Sequence, residues 1–238
     1  VISAHNSDDI YKVPLQMEAE GIARYIMKEM RLFPLEEKKD WDQFVRKMGE
    51  VSGSVKVAIV GKYTVGQQCA DPMEDAYLSI RESLKHAGIE AGVRPEIVWI
   101  DAEELEHGSA DLILREADGI LVPGGFGSRG TEGKIKAVQY AREMKVPYLG
   151  IRFGMQLAVI EYARNVCGLD GAGSTEFGDT PHPVIAILPE QEKIRQMGAT
   201  MRLANFHMAS RAIMAASSAA DSAAGLVVCG VSCWFMAV

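Results

Sequence analysis

Apolar residues recur at two different spacings along this chain, and the change between them divides it. Leu15, Ala19, Ile22, Ala23, Ile26, Met27 and Met30 repeat at helical spacing and predict a helix over 15–32. Pro14 suits a first turn, where an N–H is not needed, and Pro34 ends the run. A second helix is predicted over 36–48, with Trp41, Phe44, Val45 and Met48 as its apolar face. Two helices of this size cannot enclose a core, so the segment must dock on another surface. The next six residues, "GEVSGS" over 49–54, read as a linker.

From residue 55 the pattern becomes short, unbroken apolar runs separated by amphipathic ones. Strands are predicted at "VKVAIVG" (55–61), "EIVWI" (96–100), "GILVPGG" (119–125) and "VPYLGI" (146–151). Helices are predicted over 74–88, 109–116, 132–144 and 155–166. Strands buried on both sides and alternating with helices imply an α/β fold, a parallel sheet with helices on both faces, here preceded by the short helical segment. In such sheets the site lies at the carboxyl ends of the strands. The alternation stops near residue 192, after which Asp221 is the only carboxylate. From Leu203 the chain is rich in Ala and Ser with no clear period, and "MAASSAADSAAG" is of low complexity.

Composition narrows the function classes. The chain of 238 residues carries a net charge of −7 and no basic run, which argues against nucleic acid as a partner. Its four cysteines, Cys69, Cys167, Cys229 and Cys233, match neither a disulfide framework nor a zinc site and read as free thiols in a reducing compartment. Residues 222–238 are apolar but shorter than the ~20 residues of a membrane span. The start has no basic-then-apolar leader pattern, so a cytoplasmic protein without a membrane partner is expected. No metal ligand set is discernible.

Two glycine-rich turns are candidates for chemistry. "GIRFG" (150–154) joins a predicted strand to a helix, as in turns whose strained tip displays a nucleophile. The N–H after the tip lies at a helix N-terminus and can stabilise an oxyanion. The tip here is Arg152. The second turn, "PGGFGSRG" (123–130), lets backbone N–H groups approach a carboxamide, carboxylate or oxyanion, and it lacks the Lys-Ser/Thr of a P-loop.

The run "VPGGFGSRGTEGKIKAVQYAREMKVPYLGIRFGMQLAVIEYARNV", followed by "STEF", resembles the glutaminase domain of the CTP synthase family, within the class I glutamine amidotransferases of flavodoxin-like fold. The resemblance extends through "VAIVGKY", "DAYLSIRESLKHAG", "PHPVIAILPEQ" and "GATMRLA", and "DIYKVPLQMEAEG" with Trp41 resembles the closing helices of that family's synthetase domain. It implies the end of a synthetase domain over 1–48, a linker over 49–54, an incomplete type 1 glutamine amidotransferase domain over 55–204 and an atypical tail over 205–238.

That family makes CTP from UTP, ATP and ammonia, the ammonia coming from glutamine through a Cys-His-Glu triad. By position, the resemblance implies that Gly125 serves as a glutamine-binding and oxyanion residue. Phe153, Gly154, Met155 and Gln156 match the segment that completes the oxyanion hole and holds glutamine, and Glu176 matches the acid that binds its α-amino group. Arg152 occupies the place of the nucleophilic cysteine. The family's late His-x-Glu pair has no counterpart; His207 is followed by no such glutamate, and Arg202 belongs to the earlier "MRL" motif. Cys167 and Cys69 do not match the missing nucleophile.

A guanidinium stays protonated and offers only donors, so it cannot attack an amide carbon. The expectation is therefore a fragment of a CTP synthase that does not hydrolyse glutamine. The alternative is a non-catalytic glutamine-binding, assembly or regulatory module. A hydrolase with another nucleophile is disfavoured, because no Ser, Thr or Cys stands at the turn. Arg152 is expected to reach Glu176 and plug the pocket. No cofactor is expected in this chain. ATP and Mg2+, and UTP with them, belong to the family's synthetase half, through which its tetramer also forms. L-glutamine is the expected ligand.

Overall fold

A computed structural model of the chain describes residues 3, 6–33, 40–62, 77–125 and 127–186, together with the backbone of 226–229 and 233–236. They fall into two units, 1–54 with 82–94, and 55–81 with 95–238.

In the first unit, helices α1 (Val13–Ala19) and α2 (Ile22–Glu29) replace the single helix predicted over 15–32. Gly21 separates them in the left-handed region, at φ 80°, a conformation that costs glycine little and ends a helix. Helix α3 (Asp40–Glu50) takes up the first two residues of the predicted linker. These helices gather with residues 82–94 around Tyr11. The Tyr11 hydroxyl donates to Glu82 Oε2 at 2.8 Å and lies 2.6 Å from His86 Nε2. Its ring meets Phe44 and His86 edge-on, and Lys85, paired with Asp9 at 2.7 Å, sits over its face. Trp41 Nε1 donates to the Tyr11 carbonyl at 2.9 Å. Burial and the Glu82 carboxylate together push the phenol up to about 12. The docking surface that the sequence required is thus supplied within this unit.

The second unit is built on a six-stranded sheet. Strand β1 (Ser54–Gly61) is followed by α4 (Leu78–Ala91), most of which belongs to the first unit, and by β2 (Arg94–Asp101). Helices α5 (Ala102–His107) and α6 (Ala110–Leu114) lead to β3 (Gly119–Val122). Helix α7 (Thr131–Met144), β4 (Tyr148–Ile151) and α8 (Phe153–Asn165) follow. A separate parallel pair, β5 (Ala172–Ser174) and β6 (His182–Ile185), comes next. Strands β7 (Leu226–Cys229) and β8 (Cys233–Met236) complete the main sheet, whose order is β2-β1-β3-β4-β8-β7.

The centre of the sheet is parallel, as the sequence pattern requires, with Ile59 opposite Leu121 and Leu121 opposite Leu149. Its apolar runs are buried at their centres, Ala58, Ile59, Val60 and Val122 completely, while Val55, Val57, Leu149 and Ile151 are half-buried. The tail departs from the expectation of a patternless segment. Its two strands form an antiparallel pair, and β8 pairs antiparallel with β4, Leu149 opposite Phe235. Hairpin pairing needs only adjacency and backbone groups, so it does not require the apolar periodicity by which the other strands were read. Helix α5 was also not foreseen. The side chain of Asp101 caps it, accepting from Glu103 N–H at 2.7 Å.

Helices α7 and α8 are joined by a buried ion pair. Glu161 is fully buried, and Arg142 grips it through Nη2 at 2.7 Å and Nε at 3.1 and 3.2 Å. Asn165 Nδ2 adds a third donor group at 3.0 Å. Among the described residues no helix is long and apolar enough to cross a membrane.

Candidate functional site

The chain passes from β4 to α8 through one residue, Arg152. Its φ of 51° and ψ of −99° put a side chain bearing a Cβ where glycine is usually needed. The flanking glycines explain the motif. A Cβ built on Gly150 lies 2.6 Å from Met155 N, and one built on Gly154 lies 2.1 Å from the Val122 carbonyl oxygen. The first glycine lets the helix fold back on the strand; the second lets the helix start sit against β3. The buried Tyr148 hydroxyl donates to the Gly154 carbonyl at 2.8 Å and fixes the first turn of α8 from below. This is a strained strand–turn–helix elbow, as "GIRFG" predicts. Arg152→Gly is expected to stabilise the fold by up to about 1 kcal/mol, through relief of the positive φ, as read by urea unfolding.

The second glycine turn faces the elbow. A Cβ built on Gly124 lies 3.7 Å from Arg152 Cδ and 3.8 Å from Arg152 Cβ, so the arginine stem runs along this glycine. A Cβ built on Gly125 lies 3.8 Å from Lys134 Nζ and 3.9 Å from Phe153 Cδ1. Two residues on, Gly127 is held from both sides. Its carbonyl accepts from Lys62 Nζ at 2.8 Å, and its N–H donates to Glu176 Oε1 at 2.8 Å. Glu176 sits on a short turn of 3₁₀ helix, Thr175–Phe177, started by Ser174 Oγ accepting from the Glu176 N–H. Its second oxygen, Oε2, is buried and has no hydrogen-bond partner.

The structure therefore brings Gly125, Arg152, Phe153, Gly154 and Glu176 to one place. Phe153 and Gln156 are buried in the first turn of α8, and the Gln156 N–H donates to the Arg152 carbonyl at 3.1 Å. Met155 packs instead into the apolar cluster of Ile135, Leu157 and Ile160. The Arg152–Glu176 plug is not formed. Arg152 is exposed, its side chain follows Gly124, and the oxygen of Glu176 that is engaged bonds the Gly127 backbone. Cys167 lies past the end of α8, half-buried, with its thiol pushed up by burial. Phe126, Cys69, Arg202 and His207 lie outside the described residues, as do the side chains of Cys229 and Cys233. Among the described residues no group of three or more His, Cys, Asp or Glu could hold a metal ion, so no Mg2+ position is assigned here.

Two lysines at the site were not foreseen. Lys62 follows β1, and Lys134 lies on α7; their ammonium groups stand 5.2 and 5.4 Å from the centroid of the Phe153 ring. Burial lowers Lys62, with Arg129 adding to the effect and Glu176 opposing it. The signal for Lys134 was present in the sequence. It shares a helical stripe with Ala137, Val138 and Ala141, all fully buried, and so falls where an apolar residue belongs.

Known proteins resemble this chain in sequence and fold. The family model "Glutamine amidotransferase class-I" matches residues 73–221. The chain is 72% identical over 206 residues to the CTP synthase of Methanothrix thermoacetophila, covering 87% of this chain and 38% of that protein. It is 53% identical over 227 residues to the CTP synthase of Methanococcoides burtonii, covering 94% of this chain and 40% of that one. Among solved structures, the glutaminase domain of Trypanosoma brucei CTPS with bound acivicin is similar, with a TM-score of 0.52 and 43% identity over 62% of this chain and 55% of that one. The chain thus spans about two-fifths of the length of these curated relatives. With the family model covering more than half of its residues, the chain belongs to the class-I glutamine amidotransferases.

Proposed function

We propose that this chain is the glutamine-site portion of a CTP synthase-like enzyme, able to hold L-glutamine but not to hydrolyse it. The observation that carries the reading is Arg152 at the tip of the elbow. Hydrolysis requires a lone pair that adds to the carboxamide carbon, a base that takes the nucleophile's proton, and an acid that returns one to departing ammonia. Arginine supplies none of these near neutral pH, because it keeps its proton. Binding is a separate matter. The buried, unpartnered Glu176 Oε2 is an acceptor suited to an α-ammonium group, and the Gly124–Gly125 turn lies beside it through Gly127. The Trypanosoma relative, which holds acivicin, supports a ligand pocket on this fold. UTP, ATP and Mg2+ would engage the part of the relatives' length that this chain does not span.

Incubation with L-glutamine is expected to release no ammonia above the buffer background. Arg152→Cys is expected to remain at that background too, since the sequence provides no His-x-Glu pair to activate the thiol. Calorimetry should nonetheless detect L-glutamine binding to the unaltered chain, and Glu176→Gln should weaken it tenfold or more, about 1.4 kcal/mol. A covalent glutamyl adduct, or steady ammonia release by the unaltered chain, would overturn the inactivity. Absence of glutamine binding would leave the module reading, in assembly or regulation, as the better one.

A further inference from the structure

Lys134 is fully buried, and its Nζ has no hydrogen-bond partner. An ammonium in such a position is costly; its buried neighbours Ala137, Val138 and Ala141 on α7 are apolar, and a methionine would fill the space without that penalty. Its place is specific. It lies beneath Gly125, on the side where a Cβ would point, and over the face of Phe153, the residue after the elbow tip. The charges acting on it are few. Lys62, following β1, opposes its protonation; Asp101, at the end of β2, favours it more weakly; from α8 it meets the uncharged Phe153. Among the described residues around it, the Gly124–Gly125 turn is the part that the glutamine-site reading sets against a ligand.

We propose that Lys134 is the counter-charge for an anion seated on the Gly124–Gly125 turn, taking a proton from solvent when that anion binds. The inference rests on the glutamine-site reading, because it is the side-chain end of the ligand that meets this turn. Desolvation, with Lys62 second, brings the ammonium down to about 7, so in the free protein it is largely neutral above that pH. A carboxylate or tetrahedral oxyanion a few ångströms away restores the proton; a neutral carboxamide does not. Lys134 is a positioning residue on this account: it touches no reacting atom and acts through the turn.

The probes are L-glutamate, whose γ-carboxylate supplies the charge, and L-glutamine, which differs only in lacking it. Calorimetry of the whole chain in two buffers of different ionisation enthalpy should give proton uptake with glutamate of about half a proton or more near pH 7.5, and less with glutamine. The affinity for glutamate relative to glutamine should rise about tenfold between pH 8.5 and 6.5. In Lys134→Met that ratio should be the same at both pH values, and the excess uptake should vanish. Its melting point should equal or exceed that of the unaltered chain at pH 6.5, because a buried charge has been removed. Equal proton uptake in Lys134→Met, or a pH-independent ratio in the unaltered chain, overturns the proposal while leaving the glutamine site standing. If neither amino acid binds, the site reading falls and this proposal with it. The buffer comparison on the unaltered chain decides the question even if the variant does not fold.

Discussion

Glu161→Ala is expected to cost about 3–5 kcal/mol of unfolding free energy, measured by urea denaturation. The carboxylate is completely enclosed between α7 and α8 and takes three hydrogen bonds from Arg142. Removing it leaves a guanidinium, itself largely covered, facing a cavity and retaining only the longer, exposed contact to Glu143 at 3.4 Å. The loss is thus not the net worth of the pair, which desolvation of two ions keeps small. It is the cost of one orphaned ion. A companion variant separates the two. Arg142→Met combined with Glu161→Leu should recover most of the stability, since a buried pair replaced by apolar groups of similar volume is nearly neutral. If the single variant loses less than about 1 kcal/mol, the enclosure described here is wrong.

Gly154→Ala should be comparably damaging, and for a geometric reason. The added Cβ would stand 2.1 Å from the Val122 carbonyl oxygen and 2.9 Å from Val122 Cβ, both on a central strand. Neither can yield, so α8 must lift away from β3 and take the elbow with it. A loss above about 3 kcal/mol is expected, in the range of overpacked or strained sites. The neighbouring turn supplies the control. At Gly125 a Cβ would meet only Lys134 Nζ and Phe153 Cδ1, at 3.8 and 3.9 Å, which is ordinary contact. Gly125→Ala should therefore change stability by less than about 1 kcal/mol. Similar losses at both positions in denaturant titrations would contradict this account.

The sequence made the parallel centre of the sheet legible because strands buried on both faces are written as unbroken apolar runs. It made the elbow legible because close backbone approach admits only glycine, at Gly150 and Gly154. What it concealed was of another kind. The break at Gly21 leaves the apolar stripe of α1 and α2 nearly in phase, so periodicity reads straight across it. Helix α5 is short and half acidic, and its cap on Asp101 follows directly from a strand. The antiparallel pairing of β8 with β4 joins residues more than eighty apart and leaves no local trace. Within the site, position identified Arg152 and Glu176 but not their relation. Whether two opposite charges meet depends on where each side chain can travel, and the arginine stem follows Gly124 instead. Lys134 is hard to read from sequence because a lone lysine on a helix is ordinarily a solvated one.

The double tether of Gly127 bears on how a ligand would be received. One peptide group is held by an ammonium at its oxygen and the preceding one by a carboxylate at its nitrogen, so Gly127 cannot shift without breaking an ionic hydrogen bond. Its position is set when the chain folds rather than at encounter. A molecule arriving there would meet a backbone group already in place, and ordering that group would cost its association little.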